Sequence, residues 1–175
     1  MLKIIAIAIL VAVVAILIYA TTKPDTFRVE RTSTIQAAPE KVFALIDDFH
    51  RWPTWSPYEK KDPDMKRTHS GAASGKGAIY EWDGDKNVGK GRMEVTESAP
   101  PSRIVIKLDF LAPFEAHNTA EFTLQAQGDS TQVTWAMYGP ANYVSKLMSV
   151  FFSMDKMVGD DFAISLANLK AAAEK

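Results

Sequence analysis

Residues Ile104 to Phe110 read IVIKLDF, and the alternation in that stretch decides the fold. Ile104, Ile106, Leu108 and Phe110 fall on one side of an extended chain and Val105, Lys107 and Asp109 on the other, because successive side chains of a strand point to opposite faces. The same period of two continues outward. Upstream, Tyr80 and Trp82 alternate with Ile79, Glu81 and Asp83, and Met93 and Val95 with Arg92, Glu94 and Thr96. Downstream, Ala120, Phe122 and Leu124 alternate with Glu121, Thr123 and Gln125, then Val133, Trp135 and Met137 with Gln132, Thr134 and Ala136. Turn chemistry separates the runs at Asp83-Gly84-Asp85, Ala99-Pro100-Pro101-Ser102 and Gly128-Asp129-Ser130. The pattern predicts an antiparallel sheet in which about six strands follow a strand-like stretch from Phe27 to Gln36, with one face wet and the other covered.

The C-terminal segment supplies the cover. Met154, Met157, Val158, Phe162, Leu166, Leu169 and Ala173 recur on one helical face, with Asp155, Lys156, Asp160, Asn168 and Lys170 largely elsewhere. Gly159 inside this helix costs about 1 kcal/mol relative to alanine, so the position predicts close approach to a bulky neighbour. Between the first strand and the rest, Pro39 suits a helix start, and Val42, Phe43 and Ile46 follow at helical spacing. Phe49, Trp52, Trp55 and Tyr58 around Pro53 and Pro57 leave room only for a short helix or turn. A strand, two short helices, more strands and a long helix make an α+β domain. Its economical form is a curved antiparallel sheet wrapped around the last helix, often with a space between them.

Ahead of the domain, Ile4 to Ala20 (IIAIAILVAVVAILIYA) contains no charged or strongly polar side chain, and eleven of its residues are Ile, Leu or Val. At about 1.5 Å per residue, residues 2–21 cover most of a roughly 30 Å hydrocarbon core, and the segment is apolar on every face. It reads as a single transmembrane helix. The run exceeds the apolar core of a cleavable signal, and Ile18-Tyr19-Ala20 places a bulky residue where a small one is preferred, so an uncleaved anchor is expected. The expected division is 2–21 anchor, 22–26 linker and 27–175 ligand-binding domain. Lys3 and the amino terminus compete with Lys23, Arg28 and Arg31 in setting orientation. The expectation is a single pass through the cell (inner) membrane with the N-terminus inside and the domain periplasmic or otherwise extracytoplasmic.

Composition excludes several function classes. The 175 residues carry a net charge of −1 with both signs well mixed, so no basic face for nucleic acid is present. Zero cysteines exclude disulfides, thiolate catalysis and Cys-ligated metal. His50, His69 and His117 lack metal-ligand spacing, and no Gly-x-Ser-x-Gly elbow exists. Gly71-Ala-Ala-Ser-Gly75-Lys76-Gly77 is one residue short of a phosphate loop, lacks its hydroxyl and precedes a strand, so it reads as a hairpin loop. Asp47-Asp48 and Asp160-Asp161 are adjacent pairs whose members diverge on a helix, so neither makes an acid/base couple. Neither a metal nor any other cofactor is expected.

Three strings carry a family resemblance: Trp52-Pro-Thr-Trp55-Ser-Pro-Tyr58-Glu-Lys-Lys-Asp62-Pro-Asp-Met65-Lys, Pro113-Phe-Glu-Ala-His117-Asn-Thr-Ala-Glu-Phe122, and Met154-Asp-Lys-Met-Val-Gly159-Asp-Asp-Phe162. With elements in the expected order from Phe27 to Ala173, the chain resembles the START-like SRPBCC superfamily, in its bacterial "polyketide cyclase/dehydrase and lipid transport" branch. The resemblance implies a helix-grip fold with a deep apolar cavity, in a group that includes lipid carriers, plant allergen-like binders, aromatase/cyclases and co-chaperone domains.

Strand parity and that resemblance nominate a cavity wall. Tyr80, Trp82, Met93, Leu108, Phe110, Phe122, Trp135 and Met137 should face inward from the sheet, and Met154, Met157 and Phe162 should answer from the helix. Trp52 and Trp55 should sit at the lip, and Asn118 shares the parity of Phe122 as a polar group that could orient a ligand. A packed core is the competing reading of each residue, and one bulge would reverse the parity. Three functions follow. The first is a non-catalytic, membrane-tethered domain that binds a hydrophobic small molecule or lipid. The second is a polyketide cyclase/dehydrase-like enzyme using Asn118, Arg31 or Glu97. The third is a module whose Trp52–Tyr58 lip binds a protein partner. An enclosed volume of several hundred cubic ångströms would favour the first, and a space too small for a small molecule would favour the third.

Overall fold

A computed structural model describes the chain from Met1 to Lys175, the side chain of Leu2 excepted. Helix α1 (Leu2–Thr21) leads to β1 (Thr26–Ile35), α2 (Pro39–Ile46), a 3-10 turn (Phe49–Thr54) and the single-turn α3 (Tyr58–Lys61). Six strands follow: β2 (Lys66–Gly71), β3 (Ala78–Asp83), β4 (Lys90–Ala99), β5 (Arg103–Ala112), β6 (Ala116–Gln127) and β7 (Ser130–Pro140). Helices α4 (Tyr143–Phe151) and α5 (Met154–Ala173) close the chain.

The seven strands form one antiparallel sheet in the order β1-β7-β6-β5-β4-β3-β2. The register gives it two distinct ends. Thr26 pairs with Pro140, Lys90 with Ala112, Phe110 with Ala116 and Lys66 with Asp83. One end therefore gathers the start of β1, the β3–β4 and β5–β6 turns and the exit of β7 toward α4. The other end holds the β6–β7 turn and the junction of β1 with α2.

The inward residues of the sheet and the apolar stripe of α5 meet in one core, to which α2 adds Val42, Phe43 and Ile46. Pro39 occupies the first turn of α2, where its missing N–H has no intrahelical partner to lose. Arg31 of β1 ties down the start of α5, donating from Nη1 to Asp155 Oδ1 at 2.8 Å and from Nη2 to the Asp155 carbonyl at 2.9 Å. Further along, Lys170 Nζ donates to the Thr34 carbonyl and Gln36 N–H to Glu174 Oε1. The start of α5 thus lies near the β1 start, at the same end of the sheet as α4. Gly159 does meet a bulky neighbour, the guanidinium of Arg31.

Three features depart from the sequence reading. Strand β2 falls where no apolar period marked a strand: KRTHSG has no apolar alternation because it is an edge strand with both faces largely exposed. Helix α4 is a separate element, capped by Asn142, whose side chain accepts from Ser145 N–H. In β4 the register shifts between Val95 and Glu97. That bulge turns Glu97 outward onto Arg103 at 2.6 Å, against its inward parity.

Helix α1 is long and apolar enough to cross a membrane. Among its described side chains only Ile16 and Ala20, one turn apart, lose substantial exposure. Helix α4 packs against it, and Tyr143 Oη donates to the Leu17 carbonyl at 3.1 Å. Lys146 of α4 also bonds Asp25 in the connection to β1.

Candidate functional site

Between the sheet and the first half of α5 lies a cavity of about 220 Å³. Its floor and walls come from Tyr80 and Trp82 of β3, Met93 of β4, Leu108 and Phe110 of β5, Ala120 of β6, and Trp135 and Met137 of β7. Val158 and Phe162 of α5 close one side, and Trp52, Ser56, Tyr58, Glu59 and Met65 close another. Asn87 and Val88 of the β3–β4 turn complete the lining. Most of this wall is carbon. The volume lies just below the roughly 300–1,000 Å³ of pockets for drug-sized ligands, so it suits a short apolar molecule or one end of a longer one. It is smaller than the several hundred cubic ångströms expected.

Two polar arrangements touch the wall. Glu59, whose side chain is 6 % exposed, accepts from Tyr80 Oη at 2.6 Å and from Arg67 Nε at 2.6 Å. Arg67 also donates to the carbonyls of Glu59 and Met65, which holds α3 against the start of β2. Burial pushes the Tyr80 phenol well above the ordinary tyrosine range, and its bond to Glu59 adds to the effect. Burial does the same to Tyr58, helped by the negative charge of Asp161. Both phenols therefore stay protonated at neutral pH and act as hydrogen-bond donors, not bases. Trp135 is the other case: among the described residues its Nε1 is the one buried side-chain polar atom without a partner. The indole is held flat between Phe162, with ring centroids at 3.9 Å, and Phe122 at 4.8 Å.

Of the side chains nominated from sequence, Trp52, Tyr80, Trp82, Met93, Leu108, Phe110, Trp135, Met137 and Phe162 border this cavity. Five others lie elsewhere. Trp55 and Phe122 are fully buried and pack edge-to-face at 6.3 Å, filling the space beyond the cavity. Asn118 faces inward but sits against Gly139, where a side chain would come within 2.4 Å of Asn118 Oδ1. Met154 and Met157 are exposed, because the stripe of α5 that meets the sheet runs through Gly159, Phe162, Leu166, Leu169 and Ala173. The lip is also a correction. Trp52 Nε1 and Trp55 Nε1 donate to the carbonyls of Ile46 and Leu45, so both rings are built into the core and offer no surface to a partner.

Sequence reasoning missed Glu59, Tyr58, Met65 and Val88 on the wall. Tyr58, Glu59 and Met65 lie in the quoted Trp52–Lys66 string, but nothing in one sequence says that α3 folds back over β3, and Val88 sits in a turn with no apolar period. The histidines also regroup. His50 and His69 stack with ring centroids 4.2 Å apart, yet no group of three metal-ligating side chains occurs among the described residues. His117 bonds Asp109 at 2.7 Å on the outer face.

The family model described as "Polyketide cyclase / dehydrase and lipid transport" matches residues 26–174. No curated protein matches the chain. Among solved structures, a protein from Chromobacterium violaceum superposes with a TM-score of 0.59 at 18% identity, covering 87% of this chain and 99% of its own. Ginseng major latex-like protein 151 from Panax ginseng gives 0.61 at 13% identity, covering 87% of this chain and all of its own. The di-domain ARO/CYC BexL from the BE-7585A biosynthetic pathway gives 0.64 at 16% identity, covering 90% of this chain. The chain spans about half of BexL, 53%. These likenesses show a shared helix-grip fold.

Proposed function

The chain belongs to the polyketide cyclase/dehydrase and lipid transport family, and from that premise we propose that it is a membrane-tethered binder of a hydrophobic small molecule or lipid. The observation that carries the reading is the apolar cavity between sheet and α5. Exposing a hydrocarbon chain to water costs about 0.8 kcal/mol per methylene, and a carbon-walled pocket removes that cost. A cavity of about 220 Å³ takes one end of such a molecule. Of the polar groups on the wall residues, Trp135 Nε1 is the donor without a protein partner among the described residues, because the Tyr80 phenol already donates to Glu59.

Helix α1 supplies the tether as an uncleaved single-pass anchor in the inner membrane, with the domain on the extracytoplasmic side. Its contacts with α4 support retention, since cleavage near Thr21 would strip Tyr143 of its partner at Leu17. The domain is the binder and 2–21 the anchor, and the linker is 22–25, one residue shorter than expected because β1 already begins at Thr26.

The test is mass spectrometry of lipids extracted from detergent-purified full-length protein, with displacement of a fluorescent fatty acid as the solution assay. A co-purifying apolar species displaced by the probe supports the reading. Protein that is empty and does not take up the probe overturns it. A cyclase-like enzyme has weaker support: the one buried carboxylate at the wall, Glu59, is already bonded to Tyr80 and Arg67.

A further inference from the structure

Outside α1, nearly every large apolar side chain left exposed lies at one end of the sheet. Leu111 lies at the end of β5 and Phe114 on the β5–β6 turn, Tyr143, Val144, Met148 and Phe151 on α4, and Phe152, Met154 and Met157 from the α4–α5 junction into the first turn of α5; apart from the N-terminal Met1, Ile164 alone lies elsewhere. Phe114 is 76 % exposed and Met157 61 %. Scattered single apolar residues need no explanation, but a cluster of this size on one end marks a contact surface.

Two further observations identify what it contacts. This is the end from which α1 departs, because β1 begins there and Thr26 pairs with Pro140 just before α4. The cavity's more accessible lining lies toward this end as well: Asn87 and Val88 belong to the β3–β4 turn, Leu108 and Phe110 to the second half of β5, Val158 to the start of α5, and Tyr58 and Glu59 to α3, after which Asp62 accepts from the N–H of Asp85 in that same turn.

Depth can be read from the chain itself. Tyr143 at the start of α4 bonds the carbonyl of Leu17, four residues before α1 ends at Thr21. Four residues of helix rise about 6 Å. An amphipathic helix lying in a membrane surface buries its apolar face about 5–10 Å into the boundary between headgroups and acyl chains. Helix α4, with Val144, Met148 and Phe151 exposed beside Ser145, Lys146 and Ser149, is built to lie there.

We infer that this end of the domain is seated in the surface of the same bilayer that holds α1, so that the cavity mouth opens into the lipid boundary and not into water. The inference rests on the tethered reading above. It makes the ligand's path lateral: an apolar molecule passes from the leaflet between Phe110 and Val158 without crossing water.

The absence of cysteine lets each single substitution carry one nitroxide label. Full-length Leu10→Cys, Phe114→Cys, Met148→Cys, Phe152→Cys, Asp129→Cys and Ile164→Cys proteins would be reconstituted in phosphatidylcholine liposomes. Collisions with dissolved oxygen and with a water-soluble nickel chelate would be compared at each label. The expected result is loss of chelate collisions at 10, 114, 148 and 152, and retention of them at 129 and 164. Lipid contact at 10 with free chelate access at 114, 148 and 152 overturns the inference while leaving the tether standing. Chelate access at 10 overturns both. Shielding of 114 and 148 from oxygen and chelate alike means that protein covers this face, and it also overturns the inference.

Discussion

Gly159 of α5 lies directly over the guanidinium of Arg31 in β1: a Cβ placed on Gly159 would fall 1.9 Å from Arg31 Nη2. The helix therefore accepts a poor helix former at this point in exchange for three hydrogen bonds from Arg31 to Asp155. Gly159→Ala gains about 1 kcal/mol of helix propensity but displaces the guanidinium from those bonds. A smaller stability gain than propensity alone would give, or a net loss, is expected by urea unfolding. In an Arg31→Ala background the same substitution should stabilise, because only the propensity remains. If its effect is equal in both backgrounds, the packing account is wrong.

The cavity predicts a binding defect separable from folding. Ala120 is buried at the wall, paired with Met137 in β7 and Ile106 in β5. In Ala120→Leu the added carbons enter existing empty space, so the melting temperature should hold or rise slightly. Fatty-acid probe affinity should fall about tenfold or more, which is about 1.4 kcal/mol. Unchanged probe binding in a folded Ala120→Leu protein would mean that the ligand sits elsewhere.

Trp52 and Trp135 both border the cavity but differ in their indole N–H groups. Trp52 donates to the Ile46 carbonyl at 2.9 Å, whereas Trp135 has no partner among the described residues. Trp52→Phe orphans a buried carbonyl, and Trp135→Phe removes an unsatisfied donor. The first should cost about 1–3 kcal/mol more than the second in denaturant unfolding. Equal losses would show that ring volume alone matters.

Asp109 and His117 form the pH-sensitive pair of the outer face. Hydrogen bonding to Asp109 raises the His117 imidazole above its ordinary value. Burial alone would raise Asp109, but hydrogen bonds from Lys107 and His117 outweigh it and hold the carboxyl below its usual range. The histidine contribution is fully present below its unfolded value of about 6.5 and is lost as pH rises through the higher folded value. The aspartate contribution is present above about 3.9 and is lost as pH falls through the lower folded value. The pair therefore supports the fold most between roughly pH 4 and 6.5. Asp109→Asn should move the His117 titration seen by NMR down toward about 6.5. A midpoint that does not move refutes the pairing.

Elements defined by apolar period were legible. The alternation in β3 to β7 and the stripe of α5 follow from which face is covered, and a single sequence records that directly. Strand β2 was not legible, because an edge strand carrying Lys66, Arg67 and His69 buries nothing periodic. Glu97 was misplaced because a bulge costs one residue of phase and leaves no mark in hydropathy. Parity placed Trp135 and Phe122 correctly on the inner face, but it cannot divide that face into packed core and empty space. That division depends on how Trp52 and Trp55 meet the stacked Phe122 and Trp135 edge-to-face. Glu59 reaches the wall only through the fold of α3, which is a matter of tertiary contact.

Thr22 to Asp25 is all that joins α1 to β1. Four residues reach about 13 Å when fully stretched. A connection that short acts as a pivot and permits no excursion. If the proposed tether holds, the domain would be a stationary post: it would trade cargo with its own leaflet or with a visiting soluble acceptor, and would not ferry anything across an aqueous gap to another membrane.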